Sequence, residues 1–169
     1  MKKHSRVIPL VGIAAALAVA IGGAATADRG GRQLKADLNG AEEVPSVSST
    51  GTGELLARIS DDASSIDYTL SYENLEGATT TQAHIHLGQF SANGGVSTFL
   101  CGGGGKPACP ATGGTVTGTI IAADVIGPAG QGIAAGELDE LIAAMRRGVT
   151  YANVHTDKHP GGEIRGQIK

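Results

Sequence analysis

The sequence predicts an all-β domain: a Greek-key β-sandwich or barrel with one short helix before its last two strands. Three observations predict it. Short runs of alternating apolar and polar residues recur along the chain, and clusters rich in Gly, Asn, Asp, Pro and Ser separate them. Only one stretch, Glu137 to Arg147, carries a clear helical period.

The chain opens on a leader. Lys2, Lys3 and Arg6 precede an apolar run from Val7 to Ile21, and Ala25-Thr26-Ala27 has the small-residue pattern of a cleavage site. That order is a secretory signal peptide over residues 1–27. Residues 28–169 then form a single domain, long enough to bury its own core. The apolar run is too short and too rich in Ala and Gly for a membrane span. No long apolar stretch follows it, so the mature domain is expected to be exported, periplasmic or extracellular, and free of the membrane.

The strands follow in order. Gln33 to Leu38 alternates and ends at the Asn39-Gly40 turn signal. Glu43 to Thr50, with Pro45 and four hydroxyl residues, reads as a loop. Gly53 to Ile59 points Leu55, Ala57 and Ile59 inward, and Ser65 to Tyr72 does the same with Ile66, Tyr68, Leu70 and Tyr72. The Asp61-Asp62-Ala63-Ser64 turn joins these two as a hairpin. Thr79 to Leu87, Val96 to Leu100 and Thr115 to Ile121 are the next three strands. In the helix, Leu138, Leu141, Ile142 and Met145 form one apolar stripe. Acidic residues stand at its start and Arg146 and Arg147 at its end, as the helix dipole favours, and Gly148 stops it. Thr150 to His155 and Glu163 to Ile168 are the last strands, joined by the turn Lys158 to Gly162.

Composition narrows the function classes. The net charge is −3, and the chain has three Tyr, two Phe and no Trp. A basic patch with interleaved aromatics is missing, so nucleic acid is not an expected partner. No Ser-His-Asp arrangement or paired carboxylates are legible. Cys101 and Cys109 are the two cysteines. In an exported chain they are expected to form a disulfide; the rival reading is a pair of copper-binding thiols.

The chemistry-bearing residues are histidines, of which the chain has five. His84 and His86 stand two apart on one strand, so they share a face, opposite Ala83, Ile85 and Leu87. Their Cα atoms lie roughly 6.6 Å apart, which lets both rings reach one metal ion. His155 lies on the outward face of a later strand with Tyr151 and Asn153. Three imidazoles on non-core faces point to a metal site; the plainer reading is surface histidines bonded to loops. A nitrogen-only site prefers copper, with zinc second. Tyr151 and Asn153 are either ordinary strand residues or supports that orient a ligand ring.

The segments His84-Ile85-His86-Leu87-Gly88, Tyr151-Ala152-Asn153-Val154-His155-Thr156 and Pro160-Gly161-Gly162-Glu163-Ile164-Arg165-Gly166-Gln167 resemble the CHRD domain, named after chordin. The resemblance runs from about Gln33 to Ile168 and implies an exported protein or a binding or structural module. A second resemblance is to copper–zinc superoxide dismutase. It implies that His84, His86 and His155 bind copper and that Arg165 guides the anion as a catalytic residue. No histidine lies between Leu87 and Val154, so the metal-bridging histidine and the zinc ligands have no counterpart. His159 or a water is left as the fourth ligand. The resulting expectation is a copper-dependent superoxide dismutase with superoxide as its small-anion substrate. The alternatives are a non-enzymatic extracellular module and a periplasmic copper carrier. The oligomeric state is open.

Overall fold

The computed structural model describes Met1 and residues 32–169; the signal peptide expected over residues 1–27 lies outside the residues described from Arg32 onward. Eight strands form one antiparallel sheet: β1 (Gln33–Asn39), β2 (Thr52–Ile59), β3 (Ile66–Glu73), β4 (Thr80–Leu87), β5 (Val96–Cys101), β6 (Gly114–Ile120), β7 (Thr150–Thr156) and β8 (Ile164–Gln167). Among the described residues a single α-helix, α1 (Leu138–Arg146), precedes β7. The spatial order is β5-β4-β7-β8-β1-β2-β3-β6. Consecutive strands β1 to β3 pair as a meander, whereas β7 crosses over to lie between β4 and β8.

This sheet curls into a nearly closed barrel, the barrel branch of the expected all-β class. Its two edges, β5 and β6, approach without a shared ladder among the described residues. Tyr68 of β3 helps to span the gap: its hydroxyl donates to the Leu100 carbonyl of β5 at 2.6 Å. Closure of this kind leaves little exposed strand edge to pair with other chains.

Alternation fixes what fills the barrel. Leu34, Ala36 and Leu38 of β1 point inward, as do Leu55, Ala57 and Ile59 of β2 and Ile66, Tyr68, Leu70 and Tyr72 of β3. Ala83 and Ile85 of β4, Ala152 and Val154 of β7, and Ile164 and Ile168 complete the interior. The helix buries Leu138, Leu141, Ile142 and Met145 against the same core. At about 25 cal/mol per Å² of apolar surface removed from water, this interior is the main source of stability. Cys101 and Cys109 form the expected disulfide, with Cα atoms 5.1 Å apart, and no free thiol is left to act as a copper ligand.

Candidate metal centre

The site lies on the outer side of β4, β7 and β8. Antiparallel register sets the side chains in rows: Phe99 opposite His84, His84 opposite Asn153, Asn153 opposite Arg165, and Arg165 opposite Asn39. In the next row His86 faces Tyr151, and Tyr151 faces Gln167. His155 faces Gln82, two residues along from His84. Because alternate residues share a face, the inward set is apolar and the outward set carries all three histidines.

The outward face was expected to be exposed, and here the structure differs. His84 is 3 % exposed, His86 8 % and His155 7 %. Arg165, expected to guide an anion, is 2 % exposed. The cause is a roof of loops. Residues 88–95 fold back over β4 and β7; a side chain at Gly94 would collide with the Leu87 carbonyl, so the close return needs glycine there. The segment 40–45 covers the β8 side: its Val44 carbonyl accepts from the Asn93 side-chain amide at 2.9 Å. There Glu43, in a stretch that reads as plain loop, is buried, and a side chain at Gly162 would strike its carboxylate.

Under this roof the three imidazoles converge. Their ligand atoms all lie within 4.8 Å of one another. The ring centroids of His84 and His86 are 5.3 Å apart, and those of His84 and His155 are 4.9 Å apart. Hydrogen bonds indicate which nitrogens are free. His86 Nδ1 lies 2.9 Å from the Gly94 carbonyl, and His155 Nδ1 lies 2.9 Å from the Pro160 carbonyl. A carbonyl only accepts, so both rings carry the proton on Nδ1 and keep a lone pair on Nε2. His86 Nε2 is buried with no partner among the described residues, and His155 Nε2 lies 3.2 Å from His84 Nδ1. Backbone carbonyls that fix the far nitrogen of each ring are the usual support of a metal-bound imidazole.

Electrostatics keeps the rings neutral, as metal ligation requires. Burial lowers the pKa of His84 to about 3, helped by its neighbours His155 and His86. Burial also pushes His86 and His155 below the usual histidine range. Beside them, burial pushes the Glu43 carboxyl up to about 7, against the pull of the Arg165 guanidinium. Asn153 stands against His84, His86 and Glu43. Glu43 Oε1 and Asn153 Oδ1 join His86 Nε2 as buried acceptors without a partner. An unmatched buried acceptor costs about 1–3 kcal/mol, and of these three residues His86 belongs to the three-imidazole group.

His159 stands apart from this group: the three residues whose ligand atoms lie within 4.8 Å are His84, His86 and His155. Its Nε2 is buried and unpartnered in the turn after β7. Sequence reasoning missed Glu43 and Phe99, whose ring meets His84 edge-on at 4.6 Å between centroids. Alternation in β5 gave no pointer to Phe99, because the β4–β5 pairing shifts register between Ala83 and His84 and again between Ile85 and His86.

Fold and site together define a β-barrel domain with a buried three-imidazole cluster that can hold one metal ion. The chain belongs to the CHRD domain family, whose model matches residues 34–168. Domains of this family occur in extracellular or periplasmic proteins. No curated protein and no solved structure matches the chain, so the likeness to copper–zinc superoxide dismutase rests on its residue pattern alone. Among the described residues no helix is long and apolar enough to cross a membrane.

Proposed function

We propose that this is an exported copper-binding CHRD protein holding one ion through His84 Nδ1, His86 Nε2 and His155 Nε2, with superoxide dismutation as its chemistry. The observation that carries the metal reading is the convergence of three imidazoles whose ligand atoms lie within 4.8 Å of one another, two of the rings being fixed by backbone carbonyls on their far side. Copper ranks above zinc because a nitrogen-only set follows the affinity order of divalent ions. Bound copper would supply one-electron chemistry, oxidising one superoxide to dioxygen and reducing a second to hydrogen peroxide with two protons from water. The chain's own residues hold three ligands in place and exclude bulk water with Phe99 and the 88–95 loop. Three protein ligands leave one position open to a small anion. An anion-guiding Arg165 on this reading needs the 88–95 loop to open.

A second reading, metal held without turnover as in a carrier or a structural staple, draws support from the burial of the rings and of Arg165. Superoxide consumption by the copper-loaded protein separates the two. The dismutase reading expects turnover that His84→Ala and His155→Ala abolish while the circular dichroism spectrum stays unchanged. Stoichiometric copper without turnover makes the protein a carrier or a stapled module. Failure to take up any metal leaves only the binding module.

A further inference from the structure

We propose that Arg165 is a positioning residue of the histidine centre: through the Tyr151 ring and the 88–95 loop it fixes the His86 imidazole so that Nε2 stays free for the ion. Its use rests on the metal reading above; its test does not.

Two independent supports of His86 trace back to this one side chain. The first is a stack of three planar groups. The Arg165 guanidinium carbon lies 3.4 Å from the Tyr151 ring centroid, and the Tyr151 ring lies 4.7 Å from the His86 ring with only 7° between their planes. Tyr151 is on β7, the strand between those that carry His86 and Arg165, so it sits as the middle layer. A cation over one face of a tyrosine ring is attracted by the ring quadrupole, most strongly when desolvated, and Tyr151 is itself 2 % exposed.

The second support is the loop. Arg165 Nη2 donates to the Ala92 carbonyl at 2.8 Å and to the Gln89 carbonyl at 3.3 Å, and Nη1 donates to Asn93 Oδ1 at 3.2 Å. These bonds hold the segment that ends at Gly94, whose carbonyl faces His86 Nδ1. Gly94 N–H in turn donates to the Tyr151 hydroxyl at 3.3 Å, which ties loop and stack together. Lysine cannot replace this arrangement: its ammonium is a point charge with neither a plane to stack nor a fixed fork of donors. Glu43 stands beside the guanidinium.

The test compares Arg165→Lys with the wild type by imidazole nitrogen NMR on the metal-free protein above pH 7, and by zinc titration. The wild type shows His86 as a single Nδ1–H tautomer. Arg165→Lys mixes in the Nε2–H form and raises the zinc Kd about tenfold, the lower end of what loss of a ligand's support costs. Should Arg165→Lys fail to fold, Tyr151→Leu removes the middle layer and is expected to mix the tautomers in the same way. An Arg165→Lys protein with an unmixed His86 tautomer and wild-type zinc affinity overturns the proposal and leaves the arginine as an exchangeable positive charge. A wild type that takes no zinc defeats the metal reading, while the metal-free tautomer comparison still decides this one.

Discussion

Two outer faces of the same barrel obey one alternation rule and end in opposite environments. On β1 to β3 the outward side chains meet water: Lys35 pairs with Glu54 at 2.8 Å and with Asp37 at 3.0 Å, Asp37 being largely exposed and Lys35 and Glu54 about half-exposed. On β4, β7 and β8 the outward side chains lie under loops, and His84, His86, Tyr151, Asn153, His155 and Arg165 are all buried. Water satisfies the first face whatever its residues do. The second face has to satisfy itself, and among the described residues it leaves His86 Nε2, Asn153 Oδ1, Gln167 Oε1 and Glu43 Oε1 buried without a partner. Polar residues on a strand's outer side therefore say little until it is known whether a loop covers them.

The sharpest way to break the contrast is at Glu163, where a buried carboxylate accepts from Thr156 Oγ1 at 2.6 Å, Glu76 N–H at 2.6 Å, Ser49 Oγ at 2.7 Å and Gly77 N–H at 3.3 Å. Burial works to raise its pKa, and these donors together hold it below the usual range. Glu163→Ala strips four donors of their acceptor and is expected to cost at least about 3 kcal/mol in urea unfolding, since each bond to a charged group is worth about 1.5–3 kcal/mol. Removing the Cys101–Cys109 bridge with a double Ala variant comes next. The loop is short, with a sequence separation of 8, and chain entropy puts the loss at about 2–3 kcal/mol.

Acid separates the two faces further. His84, His86 and His155 have folded-state pKa values below their unfolded ones, His84 at about 3 against 6.5. The unfolded chain then binds more protons between those values, so the histidines' contribution to metal-free stability is intact above about pH 6.5 and falls as pH drops toward 3. Glu43 runs the other way: its pKa is raised to about 7 from 4.5, so its contribution is full below pH 4.5 and lost as pH rises through 7. Urea midpoints across pH 4 to 8 check both signs, with His84→Phe flattening the acid limb and Glu43→Gln the neutral one. The smallest effect belongs to the wet face. Lys35→Ala is expected to leave the urea midpoint close to that of the wild type, as loss of an exposed ion pair does, and 0.5 M salt should abolish any difference that remains.

The period-two runs made the strands legible to within a residue or two, and the apolar stripe from Leu138 to Met145 did the same for the helix. The His84/His86 pair was legible because an i, i+2 spacing on a strand fixes a common face. What was not legible depended on segments without a period. The return of residues 88–95 over the site, the burial of Glu43 and the engagement of Arg165 by loop carbonyls arise from tertiary closure, and no local pattern encodes them. For that reason an arginine expected to guide an anion is enclosed, and a carboxylate in a stretch read as loop stands beside the centre.

The most direct test of the central claim is a zinc titration of the metal-free protein followed by the nitrogen signals of its imidazoles. One equivalent per chain, moving His84 Nδ1, His86 Nε2 and His155 Nε2 and leaving His159 in place, is the result expected of a buried three-imidazole centre. No uptake, or uptake that moves the other nitrogens of these rings, would contradict it.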